Sequence, residues 1–452
     1  MFWNIGITQK NESRLFLLVT VMLSAMILPS FPIHPSLPNI RLDELLLFFI
    51  FGLNVLSFIF HKFRFDEQNK QALREQKKEL KIIFVIFGLL VISYAISNFY
   101  GVYIRRAGYY GLRDVMELIT YFKYFLVITL TLSVKLNKDE LGFFSKAFVS
   151  GLLFLIVFGW LQHINPLNLN TWLSPYFNQS HWDTLIVGNP VRVLGTLDNP
   201  NYFGVLTVIC LSFLTMRYYF GDHRDKFPWL LFILIGLVIK LEMLTISRTA
   251  FLGIGLLFLI ISVWAFFYHG RNKNVIIKVA ALFLLTVLLF FTASADFFYR
   301  FNEGLDFSTS TSMQVRVQQW GNAVGSIWES PVLGWGTQKE AMTTVVDDEF
   351  ILLTRRYGFV GLAVYLSFYL LPLIKGIRYL LLRSRLRGRG AVFSEKSQFI
   401  GAYIALLPCI FVFNIMATTF YNLQIMTIFV IAMGLVYNAF RDEKQDNCAL
   451  KA

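Results

Sequence analysis

Twelve runs of about twenty mostly apolar residues recur along the 452-residue chain. They lie near 14–33, 43–61, 81–100, 114–134, 142–164, 199–219, 227–246, 248–268, 275–295, 350–374, 397–416 and 420–440. A helix needs about 20 such residues to cross the roughly 30 Å of a bilayer's hydrocarbon. Lipid offers nothing to bond an exposed backbone, so only helices or closed barrels span it, and continuous runs exclude the alternating pattern of barrel strands. Composition agrees: 56% of residues are hydrophobic and 15% charged, against about 25% charge in soluble domains. The sequence predicts an all-α polytopic membrane protein, a single integral domain over 1–452 with about twelve transmembrane helices. The first run occupies the place of a secretory signal. Its flank (Pro29, Pro32, His34, Pro35, Pro38) holds no small-residue cleavage site, so it reads as a retained first helix.

Charge sets the expected orientation. With the N-terminus inside, the inner segments hold 27 of the 41 Lys and Arg residues, and the outer segments hold 11. Lys123, Lys146 and Lys240 fall within runs. An excess of cations inside is the established insertion bias, so both termini are expected in the cytoplasm. Basic loops facing anionic lipid account for the net charge of +13. No nucleic acid partner is needed.

The three cysteines fit this layout: Cys210 and Cys409 lie in runs and Cys448 in the inner tail, so none can staple an outer loop. The sequence has no C-x-x-C, H-E-x-x-H, P-loop or G-x-G-x-x-G pattern, which removes support for a zinc hydrolase, a nucleotide-driven pump or a redox enzyme. No metal or cofactor is expected.

Two connections are long, 165–198 and 296–347, both external in this topology. Loops beyond about 15 residues are usually functional or disordered, and these are not of low complexity. The second contains a readable helix. Thr311 and Gln314 have capping-box spacing, Val317, Trp320, Val324, Ile327 and Trp328 form an apolar stripe, and Glu329-Ser330-Pro331 ends it. Such a helix lies on the membrane surface or roofs a cavity; plain packing against neighbouring spans explains the stripe equally well, but not Arg316 near its start.

The outer cations are chemically biased. Ten of the eleven are arginine, including Arg192, Arg248, Arg316, Arg355 and Arg356, whereas the inner set is 12 Arg and 15 Lys. Arginine's planar fork binds phosphate groups bidentately and lysine acts as a point charge. An anionic ligand at the outer face is one reading; scattered headgroup contacts, as for Arg105, Arg106 and Arg113, are the other. Arg248 stands apart, between two apolar runs in 240-KLEMLTISRTAFLG-253, where a charge is costly without a partner.

Several segments together resemble the bacterial O-antigen ligase and O-antigen polymerase (Wzy-type) family. The stretch 192-RVLGTLDNPNYFG-204 resembles the segment before a mid-chain helix of that family, and Ser247-Arg248 its serine–arginine pair. Further on, 316-RVQQWGNAVGSIWESPVLGWGTQ-338 is similar to its arginine, tryptophan and P-x-x-G-x-G pattern. In 347-DDEFILLTRRYGFVGLAVY-365, Gly358 and Gly361 match the ligase G-x-x-G. Asp347 stands where a ligase has histidine and Asp348 where it usually has asparagine.

The resemblance implies transfer of a glycan from a polyprenyl diphosphate carrier to a hydroxyl acceptor at the outer face, without nucleotide or metal. It assigns Arg248 and Arg316 to the diphosphate, with Arg192 as a third, and Asp347 or Asp348 as the acceptor's general base. Asn201, Arg355 and Arg356 join the expected substrate-binding set. The histidine-to-aspartate departure favours a polymerase that joins lipid-linked oligosaccharide repeats for O-antigen or another surface polysaccharide; a ligase passing the finished glycan to a lipid or protein acceptor is the alternative. Expected partners are the lipid-linked oligosaccharide, membrane lipids, a chain-length regulator and a flippase. The competing function for Asp347-Asp348-Glu349 is helix capping with dipole compensation, compatible with a site role. A secondary transporter or flippase is the alternative of another class, since Lys123, Lys240 and Glu242 are intramembrane charges. Against it stand the missing internal repeat and the long arginine-bearing loop.

Overall fold

The computed structural model describes residues 11–29, 41–60, 67–177, 183, 185–186, 191–221, 228–270, 272–305, 311–339, 346–387 and 392–449. The Pro-rich flank at 30–38 and the side chains of Arg300, Thr311 and Cys448 lie outside the described residues. Among the described residues the chain forms helices and turns, and no strand.

A helix occupies each of the apolar runs. In chain order these are α1 (Asn11–Ile27), α2 (Leu42–Phe60), α3 (Glu67–Phe99), α4 (Leu112–Ser133), α5 (Lys138–Ile164), α6 (Pro200–Phe220), α7 (Pro228–Thr245), α8 (Arg248–His269) and α9 (Lys273–Phe291). Two helices of the long connection follow, α10 (Ala295–Leu305) and α11 (Thr311–Glu329), then α12 (Glu349–Arg387), α13 (Glu395–Met416) and α14 (Leu423–Ala449). Among the described residues, 8 helices are long and apolar enough to cross a membrane: α3 to α6, α8, α9, α12 and α13. The chain is a multi-pass membrane protein, with fewer clear spans than the sequence led us to expect. Length is one reason: α1 has 17 residues and α7 has 18, short of the usual twenty.

Packing sets the centre. α6 is enclosed over 83% of its span and α9 over 11%, so α6 forms the middle of the bundle and α9 its rim. α6 touches α7, α8 and α13, and α13 also packs on α8 and α12. These contacts bring the starts of α6 and α8 and the end of α13 to one end of the molecule.

The charges inside the bundle differ in how far they are compensated. Lys123 Nζ lies 2.7 Å from Asp43 and 3.2 Å from Glu44, and Arg41 Nε 2.9 Å from Asp43. Lys240 Nζ donates to the Thr292 carbonyl at 2.7 Å, and Glu242 is buried beside Thr245. Lys123 thus has two carboxylate partners and Lys240 a carbonyl, whereas one carboxylate oxygen of Glu242 meets no hydrogen-bond partner among the described residues.

The long connection holds more structure than its sequence announced. α10 went unread because its signal is aromatic: Phe297 packs on Phe251 with ring centroids 5.3 Å apart, and Phe298 on Phe290 at 5.0 Å. α11 ends at Glu329, as the following Pro331 dictates. Its apolar stripe is split: Ile327 is buried with Met313 and Ala323, while Val317, Val324 and Trp328 face outward, Trp328 with 71% exposure. The inward face is set by packing against α12, which leaves the second apolar face to the surroundings.

Candidate functional site

The motif 192-RVLGTLDNPNYFG-204 folds as a strap that delivers its ends to the α7–α8 turn. Gln162 of α5 grips its middle, accepting from the Gly195 amide at 2.7 Å and donating to the Gly195 carbonyl at 2.9 Å. Gly195 has φ +60, and a β-carbon there would meet the Phe203 ring, so glycine is required on both counts. Asn199 caps α6, accepting from the Asn201 amide at 2.8 Å, and Pro200 takes the first helical position. Arg192 is fixed at its other end: Nε donates to the Thr245 carbonyl at 2.9 Å and Nη2 to Asn201 Oδ1 at 2.8 Å.

Only Ile246 and Ser247 separate α7 from α8. Ile246 takes a left-handed φ of 52 and Ser247 caps α8 through the Ala250 amide. Arg248 is therefore the first helical residue. A cation at a helix start opposes the macrodipole, so helix stability does not explain its presence. Arg248 and the helix N-terminus instead add their positive potentials at one point.

α11 brings Arg316 to the same place. Its far end is anchored through the segment after it: the Trp335 amide donates to the Arg355 carbonyl at 2.9 Å and the Gly336 amide to the Arg356 carbonyl at 2.8 Å. Those carbonyls are free because α12 breaks at Gly358, with φ 66 and ψ -176. A β-carbon at Gly358 would strike the Val332 carbonyl. The P-x-x-G-x-G and G-x-x-G patterns are thus two sides of one contact. Arg105 adds to it, donating to the Glu329 carbonyl at 2.9 Å with its guanidinium 5.0 Å over the Trp335 ring, so it is a loop clamp and not a headgroup contact.

The result is a cavity of about 200 Å³ where Arg192, Arg248 and Arg316 converge with Asn201, Ser247 and Thr249. Val205, Ile246, Phe413, Met416 and Ala417 supply its apolar wall. Asp347 enters through Arg316, whose Nε lies 3.1 Å from Asp347 Oδ2. Asp348 does something else. It caps α12, with Oδ1 accepting from the Ile351 amide at 2.8 Å, and burial pushes its carboxyl above the usual carboxylate range, partly offset by the backbone amides it accepts. The next residue, Glu349, is fully buried and accepts from the Phe420 amide at 2.9 Å, holding the connection that follows the cavity wall.

Arg355 and Arg356 lie outside this cavity's lining. Arg355 is buried, and Arg356 Nη1 bonds Glu117 Oε2 at 3.2 Å. Glu117 is a hub the sequence reading passed over. It also pairs with Lys339 at 3.0 Å and accepts from Tyr421 at 2.7 Å, Tyr121 at 3.1 Å and Tyr357. Asp114 and Glu117 in the run 114–134 were the available signal, since acids inside a span need partners. Together with Asn98, which accepts from the Thr337 amide at 3.0 Å, this hub ties the segment 335–339 to α3 and α4. It rigidifies the loop that carries Arg316.

Among the described residues no cluster of His, Cys, Asp and Glu is suited to hold a metal ion. Fold and site define a multi-pass helical membrane protein with an arginine-lined cavity at one end of its bundle. Residues 230–366 match the family model of O-antigen ligase, which supports the O-antigen ligase/polymerase family. That stretch carries Arg248, Arg316, Asp347, Asp348, Arg355 and Arg356; Arg192 and Asn201 lie before it. No curated protein matches the chain.

Proposed function

We propose that the chain is a glycosyltransferase that joins polyprenyl-diphosphate-linked oligosaccharide repeats at the outer face of a bacterial inner membrane, with both termini in the cytoplasm. The observation that carries this reading is the convergence of Arg192, Arg248 and Arg316 on one cavity beside Asp347. In the family the segment 230–366 matches, members are glycosyltransferase-like membrane enzymes acting on lipid-linked oligosaccharides.

The roles follow from charge. A diphosphate leaving group gains negative charge as its bond to the anomeric carbon breaks, and preorganised guanidinium groups stabilise it most where water is excluded. Two of the three arginines come from element ends fixed by backbone bonds, so little reorganisation is needed. The acceptor hydroxyl attacks the anomeric carbon, polyprenyl diphosphate departs, and the hydroxyl proton passes to Asp347. Arg316 holds that carboxylate until the donor's phosphates compete for the guanidinium, which releases the base as the donor arrives. Asp348 serves α12 as its cap and is the lesser choice for base.

The test uses the purified chain with one synthetic lipid-linked repeat as the sole substrate. A ladder of products supports a polymerase. Transfer only after a separate acceptor is added makes the chain a ligase, and no transfer under either condition removes the enzymatic reading.

A further inference from the structure

A second cavity, of about 220 Å³, opens between α8, α12 and α13. Trp264 and Tyr268 of α8, Ile377 and Leu381 of α12, Ile404 of α13 and Phe393 just before it form its walls. Arg248 lines the first cavity and Tyr268 the second, both on α8. Twenty residues of helix at 1.5 Å each separate them by about 30 Å, the thickness of the hydrocarbon layer. The second cavity therefore sits at the opposite membrane surface. Its α12 wall opens sideways, with Leu381 57% and Ile377 40% exposed.

The sequence segment that supplies Ile377, Leu381 and Phe393 to this groove is strongly basic. Between 375 and 396 the chain carries seven Lys or Arg residues and one acid, Glu395. Glu395 faces Arg217 of α6 at 4.0 Å, and Lys375 pairs with Glu79 of α3. Arg383 sits two residues beyond Leu381, its guanidinium 5.5 Å over the Tyr379 ring, and Lys396 lies in the first turn of α13. An apolar slot with aromatic walls accepts an acyl chain, and cations one to three residues from its lining positions Ser384 and Phe393 favour a negative headgroup.

We propose that this groove binds one anionic phospholipid, its acyl chain along Trp264, Leu381 and Ile404 and its phosphate near Arg383 and Lys396. The assignment uses no part of the arginine cavity and stands whichever transfer reaction the chain performs.

Bromine on an acyl chain quenches tryptophan on contact, so Trp264 reports occupancy directly. The full chain is reconstituted in phosphatidylcholine vesicles containing dibrominated phosphatidylglycerol or, in parallel, dibrominated phosphatidylcholine. The protein has nine tryptophans, and the difference from Trp264→Phe isolates the one in the groove. The Trp264 component should be quenched at a several-fold lower fraction of the brominated anionic lipid than of the neutral one. Arg383→Gln combined with Lys396→Gln should remove that preference while neutral-lipid quenching persists, which shows the variant folded. Equal quenching by both lipids, no Trp264 component with either, or a preference that survives the double substitution would overturn the proposal. Native mass spectrometry of phosphatidylglycerol retained by the unsubstituted chain and the double variant gives an independent count.

Discussion

Replacing Asp347 with asparagine separates acceptor activation from everything else the acidic pair does. Asp347 and its partner Arg316 are 3.1 Å apart with side chains 39% and 20% exposed. An ion pair so placed is worth about 0–1 kcal/mol, so its loss should barely move the melting temperature. The rate should fall by about 10²–10⁴, the usual contribution of a positioned general base. That corresponds to about 3–5 kcal/mol of barrier, well beyond any stability effect. Asp348 predicts the reverse. Its carboxylate caps α12 through the Ile351 amide, and asparagine caps about as well as aspartate, so Asp348→Asn should be nearly silent, whereas Asp348→Ala should cost about 1 kcal/mol of stability. The assay is initial rate and melting temperature for the three variants on the lipid-linked repeat. A wild-type rate for Asp347→Asn would refute the base assignment. A raised KM at unchanged kcat would reduce Asp347 to orienting Arg316.

Three further outcomes follow. Arg248→Lys and Arg316→Lys keep the charge and lose the planar fork, so turnover should fall at least tenfold with normal expression, while Arg105→Lys, outside the cavity, should be mild; full turnover in both cavity variants would move the anion clamp elsewhere. With the natural cysteines replaced, a single cysteine at Asn322 on α11 should react with an impermeant thiol reagent in whole cells and one at Lys138 should not, and the opposite pattern would invert the topology. Because burial raises the Asp348 carboxyl, the folded chain holds that proton after the unfolded chain has lost it, and stability should decline as pH rises from the ordinary carboxylate range through the raised value; Asp348→Asn should flatten that part of the melting profile, and an unchanged slope would show that the group does not contribute.

The helices were legible because hydrocarbon imposes a length and composition on any helix within it, although among the described residues only 8 of them are long and apolar enough to cross a membrane. The arginines that line the cavity drew notice because arginine was expected on the side that insertion disfavours, and because Arg248 falls between two apolar runs where a charge is costly without a partner. Arg192, Arg248 and Arg316 meet in one cavity although 124 positions separate the first from the last. Pairing decisions were not legible. Arg356 reads like the other outer arginines, yet Glu117, 239 positions away, takes it. The split stripe of α11 had the same cause: sequence shows which residues are apolar, and only the neighbour that packs against the helix decides which face is buried. Asp347 and Asp348, adjacent and identical, make different contacts because one sits at the cap and the other one residue before it.

The central claim, that the three arginines form a diphosphate site, is tested most directly by equilibrium binding of labelled undecaprenyl diphosphate to the purified chain. Losing one charge-assisted hydrogen bond costs about 1.5–3 kcal/mol, which is a loss of affinity of tenfold or more. Binding should weaken at least that much in each of Arg192→Lys, Arg248→Lys and Arg316→Lys, hold in Asp347→Asn, and exceed binding of the monophosphate. Equal affinity for monophosphate and diphosphate, or diphosphate binding unchanged in all three lysine variants, would contradict the account.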